Sequence, residues 1–129
     1  MHRSSPIKAA RSLVAASDAA KEGWSLMIFP EGGIPDSDRP KMIEFKDGAF
    51  QLAKNLGLPI LPVSYSNHYR LFSDPLDLFG IARPGISHVH IHPVITKEEV
   101  ARLSQQELKE KSFKIINRPI KAMLQAKSR

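Results

Sequence analysis

Residues 24–33 read WSLMIFPEGG, and this stretch decides the fold. Residues 24–29 form a short apolar run that stops at a proline, which predicts a buried strand. Residues 31–41 are rich in glycine, proline and aspartate and show no hydrophobic period, so we predict a long loop there. Ligands of α/β proteins bind where a strand ends and a loop begins. The turn Phe29-Pro30-Glu31-Gly32-Gly33 is therefore the first candidate for a functional site.

Helices are predicted on both sides of this strand and loop. Ser5 and Pro6 are typical of a helix start, and Gly23 marks the end of that helix. A second helix is predicted to end at Gly57, because five apolar residues before it share one face: Ala49, Phe50, Leu52, Ala53 and Leu56.

Two more strands are predicted. Residues 60–64 form one, and Pro59 and Pro62 place it at a sheet edge, because proline cannot donate to a strand ladder. Val89 and Ile91 alternate with histidines, which indicates the other strand. Strands alternating with helices predict an α/β fold, with a mixed or partly parallel sheet flanked by helices. Three strands are few for such a sheet, so we expect an N-terminal part of the domain to be missing before Met1.

The C-terminal residues predict a short helix and then a long basic one over about 105–127. Capping-box spacings occur twice, in Thr96 with Glu99 and in Ser104 with Glu107. Pro119 should kink or restart the long helix. Residues 107–129 hold seven basic side chains and two acids, which is +5 of the net charge of +6. The apolar stripe of this helix either packs on the domain, leaving a solvated basic face, or lies on an anionic membrane, and the two are compatible.

The composition excludes several classes of protein. A chain of 129 residues, 42% hydrophobic and 25% charged, is a single globular domain or part of one, residues 1–129 in all. It has no cysteine, which excludes disulfides, thiolate metal sites and thiol catalysis. No apolar run reaches the ~18 residues that a membrane span needs. The positive charge favours anionic partners, namely phosphates, nucleic acid or acidic lipid.

The turn at 29–33 has chemistry suited to an anionic ligand. Two adjacent glycines allow backbone N–H groups to approach an anionic oxygen closely. Glu31 would repel a phosphate, so it is expected to accept from a substrate hydroxyl or to hold a basic side chain in position. The alternative is an ordinary tight turn with a surface glutamate.

Three segments, FPEGG at 29–33, FKDGAF at 45–50 and LPILPV at 58–63, resemble in order and spacing the 1-acylglycerol-3-phosphate (lysophosphatidate) acyltransferases, a family of glycerolipid acyltransferases. The resemblance covers the later part of that family's domain. It implies transfer of a fatty acyl group from an acyl-carrier-protein or coenzyme A thioester to 1-acylglycerol 3-phosphate, which makes phosphatidate. It also implies no cofactor, and peripheral attachment to the anionic surface of the cytoplasmic face of a membrane.

The same resemblance assigns substrate-binding residues. It places Phe29, Pro30, Glu31 and Gly32 in the motif that holds the glycerol phosphate acceptor. Pro59 and Pro62 match the family's fourth motif, which is structural. Arg3 is similar to an arginine that pairs with the acceptor phosphate.

The third motif departs from the family pattern, in which threonine and arginine follow. Here Gly33 and Ile34 follow, so another basic residue must take that place. Arg39, Lys41 and Lys46 are the candidates. We favour Lys46, which lies near a predicted helix start beside Gly48, where free amides attract anions.

The family's catalytic block, a histidine followed by four residues and an aspartate, does not occur in this chain. The fifth residue after each of the five histidines is not an aspartate, and Asp74 lies six residues after His68. We therefore assign no catalytic residue and expect the chain alone to be inactive. The alternatives are a catalytically dead module that binds lipid phosphate and a basic nucleic-acid-binding domain. The second lacks basic-aromatic interleaving, so we expect no nucleic-acid partner.

A metal site at the histidines is not expected either. Alternate residues on one strand face lie ~6.8 Å apart, so three ligands from His88, His90 and His92 would span about 13 Å, too far for one ion.

Overall fold

The structure is a computed structural model that describes residues 6–33, 41–71 and 82–127. It is a mixed α/β fold, as predicted from the sequence. Its elements are α1 (Pro6–Lys21), α2 (Gly48–Leu56), β1 (Val63–Tyr65), α3 (His68–Leu71), β2 (Val89–Ile91), α4 (Lys97–Arg102) and α5 (Gln105–Lys127). Within these described ranges, no helix combines the length and the apolar character needed to cross a bilayer.

The two described strands pair antiparallel. Val63 lies opposite Ile91, and Tyr65 lies opposite Val89. The strand predicted at 60–64 therefore begins later, and Ile60 forms only an isolated bridge to Ile95. No parallel pair, which the sequence had favoured, occurs among the described residues. The structure confirms both predicted strand regions. The apolar face of β2 is exposed, however, and Ile91 is 73% accessible.

The core lies between the helices and this small sheet. Phe45 stacks on Phe50 with ring centroids 6.1 Å apart and meets the edge of Phe113 on α5 at 5.1 Å. The buried members of the core are Phe45, Phe50, Ala53, Ile95, Val100 and Leu108. Ile115 and Ile116 of α5 pack against them. The apolar stripe of α5 thus packs on the domain along this part of the helix.

The helix boundaries follow their local sequence signals. α1 begins at Pro6, and α2 is capped at its C-terminal end by Gly57, whose φ of 61° is left-handed. Both capping boxes form: the hydroxyl of Thr96 accepts from the Glu99 amide, and that of Ser104 accepts from the Glu107 amide. Ser5 lies outside the described residues, so its capping role stays a prediction.

Of the two outcomes predicted for Pro119, a kink or a restart of the last helix, the restart does not occur. α5 runs as one helix of 23 residues with Pro119 inside it. Proline removes one helical hydrogen bond, but the residues just before it, Ile115 and Ile116, are held against the core. Tertiary packing offsets the local penalty.

The prediction of a buried strand at residues 24–29 is wrong. The structure gives this run no strand, and Trp24, Met27 and Phe29 are each 69% exposed. A strand requires a neighbour for its backbone N–H and C=O groups. No described strand pairs with residues 24–29, so the run keeps its apolar side chains in solvent.

Candidate functional site

The candidate site begins with a tight turn at residues 29–32. The amide of Gly32 donates to the carbonyl of Phe29 at 3.1 Å. Gly32 has φ of +63°, a left-handed conformation that glycine adopts without the steric cost a side chain brings. The turn geometry therefore explains the first glycine of the pair. Gly33 is exposed and has an ordinary φ.

Two hydrogen bonds fix this turn to the segment before α2. The amide of Lys46 donates to the carbonyl of Pro30 at 2.8 Å, and the amide of Ile43 donates to Oε2 of Glu31 at 3.0 Å. Glu31 is half-buried. The sequence had suggested a substrate hydroxyl or a basic side chain as its partner, whereas the observed partner is a backbone amide. One oxygen of the carboxylate thus positions the turn.

Lys46 lies directly over Gly32. A Cβ at Gly32 would fall 2.8 Å from Nζ of Lys46 and 2.9 Å from its Cδ and Cε. The side chain of Lys46 therefore occupies the space that any residue other than glycine would fill. Phe45, next to it in the chain and 3% exposed, anchors this segment in the core. The structure thus brings together Gly32 and Lys46, the basic residue that the sequence favoured.

Lys46 forms no ion pair with the residues that the structure describes. Lys46 is exposed, and no carboxylate in the described ranges lies within ion-pair distance of its ammonium group. Its neighbour Asp47 directs its carboxylate to Lys109 instead, at 2.9 Å. That hydrogen bond and the Lys109 charge lower the pKa of Asp47. The ammonium group of Lys46 is left available to an anion.

The start of α2 lies beside this lysine, as predicted. α2 begins at Gly48, and Asp47 at its N-cap makes no side-chain hydrogen bond to the helix. Gly48 is close to Leu13 of α1, whose Cδ1 would lie 3.0 Å from a Cβ there. α1 therefore packs on the first turn of α2 and helps to hold the segment that carries Lys46.

Some predicted site residues are not brought to this turn by any described contact. Arg3 and Arg39 lie outside the described residues, and Lys41 is exposed. Pro62 is buried, and its carbonyl accepts from the amide of His92 at 3.0 Å. Pro59 is exposed just before the Ile60 bridge. The roles assigned to these residues stay predictions.

Sequence reasoning missed a polar network between the sheet and α5. Ser64 is 1% exposed, and its hydroxyl donates to the carbonyl of Ile116 at 2.9 Å. Because a hydroxyl has a single proton, Ser64 must accept from Nε2–H of His92, 2.7 Å away. The hydroxyl oxygen of Ser66 likewise lies within hydrogen-bond distance of a histidine, at 3.2 Å from Nε2 of His90. The signal was present in the sequence, since Ser64 and Ser66 are two positions apart in and just after β1, as His90 and His92 are in and just after β2.

His92 is expected to make folding stability sensitive to pH. Burial, and then the charges of His90 and Arg118, lower the pKa of His92 below its ordinary value of 6.5. The unfolded chain then binds a proton more readily than the folded one. The contribution of His92 to stability is full above pH ~6.5 and is lost as the pH falls through its lower folded pKa.

Urea unfolding of the wild type and of His92→Gln between about pH 5.5 and 7.5 measures this contribution. Glutamine retains an N–H donor for Ser64 but does not titrate. The wild type should lose stability more steeply than the variant as the pH falls. Parallel pH profiles for the two proteins would show that His92 contributes nothing to the dependence.

No group of three or more potential metal ligands occurs within residues 6–33, 41–71 and 82–127. His90 of β2 and His92, which follows it, make the serine contacts described above.

Comparison with known proteins identifies the family. The model of the family described as Acyltransferase matches residues 1–66. The 1-acyl-sn-glycerol-3-phosphate acyltransferase of Borreliella burgdorferi is 33% identical over 108 residues, which are 83% of this chain and 40% of the relative. The enzyme of the same name from Saccharomyces cerevisiae is 34% identical over 91 residues, 70% of this chain and 29% of the relative.

A solved structure agrees with these sequence comparisons. The crystal structure of the 1-acyl-sn-glycerophosphate acyltransferase from Thermotoga maritima matches with a TM-score of 0.71 and 26% identity, covering 88% of this chain and 44% of that one. The fold and the 29–32 turn therefore define an acyltransferase-type α/β domain. The chain belongs to the Acyltransferase family. It spans about 40% of the length of the Borreliella relative.

Proposed function

We propose that this chain is the acceptor-binding part of a 1-acylglycerol-3-phosphate acyltransferase. Such an enzyme moves a fatty acyl group from a coenzyme A or acyl-carrier-protein thioester to the free hydroxyl of the acceptor and makes phosphatidate. The names of the two relatives and of the solved structure support this substrate class. The observation that carries the proposal is the ammonium group of Lys46, which lies over the Gly32 turn and forms no ion pair within the described residues.

In this proposal Lys46 pairs with the acceptor phosphate. An ammonium group is a compact charge with three donors, suited to phosphate oxygens. Glu31, held by the Ile43 amide, keeps the turn in place beneath it. Phe29 and Pro30 form the rim of the same turn, and Arg3 is a second cation for the phosphate.

Acyl transfer also needs a base to take the proton from the acceptor hydroxyl as the oxygen attacks the thioester carbonyl. The family's histidine and aspartate pair does not occur among these 129 residues. The chain is therefore proposed to bind acceptor without turning it over. The thioester is a co-substrate, no cofactor is required, and the lipid acceptor places the protein peripherally on the cytoplasmic face of a membrane.

Calorimetric titration with two soluble short-chain ligands of the same acyl group tests acceptor binding. One ligand is 1-acylglycerol 3-phosphate and the other is the 1-acylglycerol that lacks the phosphate. A charged hydrogen bond contributes about 1.5–3 kcal/mol, so the phosphate-free ligand should bind about 10–100-fold more weakly. Equal affinities would contradict a phosphate site.

Inactivity is tested separately with the same purified chain. Acyl-coenzyme A and the phosphate acceptor are mixed with the protein, and the release of free coenzyme A is followed with a thiol reagent. We expect no release that depends on the acceptor. Turnover at the ~1–1000 per second of ordinary enzymes would show that this chain supplies its own base.

A further inference from the structure

Three basic side chains of α5 lie along one side of the helix. They are Lys114, Arg118 and Lys121, and all three are exposed. At 3.6 residues per turn, these positions fall within about 60° of one another around the helix axis. We call these three residues the basic stripe.

The rest of α5 shows that this stripe does not lie on the side of the helix that packs on the core. Phe113 meets Phe45, and Ile115 and Ile116 pack against the core. The carbonyl of Ile116 also accepts from the hydroxyl of Ser64. Because the protein itself covers these apolar side chains, this part of α5 is not free to insert them into a bilayer. Over this part of α5, any contact of the basic stripe with a bilayer must then rest on charge.

Two other lysines of the same helix form ion pairs, whereas no member of the basic stripe does so with the residues that the structure describes. Lys109 pairs with Asp47 at 2.9 Å and with Glu44 at 3.4 Å, and Lys111 pairs with Glu99 at 2.6 Å. No side chain of the stripe forms an ion pair with a carboxylate in the described ranges, and the sequence has no acid after Glu110. The stripe is therefore a concentrated positive charge without an ion-pair partner in the described part of the chain.

We infer that the basic stripe of α5 binds the anionic phospholipid surface of a membrane by charge, without insertion of the helix. This inference rests on the proposed function, because a lipid acceptor brings the protein to such a surface. Three cations within about 60° of one another on one side of a helix can face a layer of anionic headgroups together. No exposed aromatic residue lies among them to stack on bases, which disfavours nucleic acid as the partner.

Sedimentation with vesicles tests the inference. The probes are vesicles of phosphatidylcholine alone and of phosphatidylcholine mixed with phosphatidylserine, without any lysophosphatidate. The wild type should bind only the mixed vesicles, and added salt should release it. A basic residue near an anionic surface contributes about fivefold in binding, so the triple variant Lys114→Gln, Arg118→Gln and Lys121→Gln should bind about 100-fold more weakly.

A matched variant controls for net charge. Arg11→Gln, Lys97→Gln and Arg102→Gln also remove three exposed positive charges, but on α1 and α4. This variant should bind the mixed vesicles within a few-fold of the wild type, and circular dichroism should show the same helix content for all three proteins. Equal losses of vesicle binding in the two variants would mean that only net charge matters. Binding like that of the wild type in both variants would mean that the stripe has no role. Either result overturns the inference.

Two further results separate this inference from the proposed function. The stripe variant should bind soluble 1-acylglycerol 3-phosphate as the wild type does, because Lys46 is unchanged. A wild-type protein that ignores the mixed vesicles but binds RNA in a salt-dependent way would overturn the inference and identify a different partner. Vesicle binding together with failure to bind the soluble acceptor would refute the acceptor site and leave the membrane contact standing.

Discussion

Replacing Phe45 by alanine is expected to lower the free energy of unfolding by about 3–5 kcal/mol. Phe45 is 3% exposed and lies between Phe50 of α2 and Phe113 of α5. Removing its ring loses the transfer energy of the buried carbons and leaves a cavity between two helices that share no other described aromatic contact. Domains are typically stable by only about 5–15 kcal/mol, so the variant should be close to unfolding.

Urea unfolding followed by circular dichroism measures this loss. Phe29→Ala is the matched control, because it removes the same ring from a position that is 69% exposed. The control should change stability by no more than about 0.5 kcal/mol. A loss below about 1 kcal/mol for Phe45→Ala would show that α2 and α5 do not depend on this ring for their packing.

The elements predicted correctly are those whose determinants lie close together in sequence. The Thr96 capping box depends on a residue three positions away, and both of its hydrogen bonds form. Gly57 ends α2 in a left-handed conformation for an equally local reason. Such signals remain valid whatever the rest of the chain does.

The failures concern elements whose outcome depends on distant partners. The apolar run at 24–29 indicates a tendency to be buried, but a strand forms only if another strand lies beside it. At Pro119 the sequence shows the local penalty of proline, whereas the packing of Ile115 and Ile116 that maintains α5 is tertiary. The first residue of β1 likewise depends on its register with β2.

The candidate site combines both kinds of information. The turn at 29–32 is local, and its glycines mark it in the sequence. The contact between Lys46 and Gly32 is formed by residues 14 positions apart in the sequence. Charge alone does not distinguish Lys46 from Arg39 or Lys41 as the basic residue at this turn. The Ile43 amide as the partner of Glu31 could not be predicted, because a backbone donor leaves no trace in residue type.

The proximity of Gly32 and Lys46 makes a glycine substitution a test of the lysine. In Gly32→Ala the new Cβ would lie 2.8 Å from Nζ and 2.9 Å from Cδ of Lys46. The obstructing atoms are the end of a flexible side chain, so Lys46 should turn away and the turn should persist. The left-handed φ of +63° adds a cost of about 1–2 kcal/mol to folding. The variant therefore displaces the ammonium group without removing it.

If the position of Lys46 is what binds phosphate, Gly32→Ala and Lys46→Met should each weaken binding of soluble 1-acylglycerol 3-phosphate by about 10–100-fold. The double variant should be no weaker than Lys46→Met, because the lysine is already lost, and this non-additivity measures the coupling of the two residues. Gly33→Ala is the control, since a Cβ there meets no atom of the described residues within 4 Å and φ is ordinary. Wild-type affinity in Gly32→Ala, with loss in Lys46→Met, would show that Lys46 acts through its charge at a distance, because a displaced ammonium group would then serve equally well.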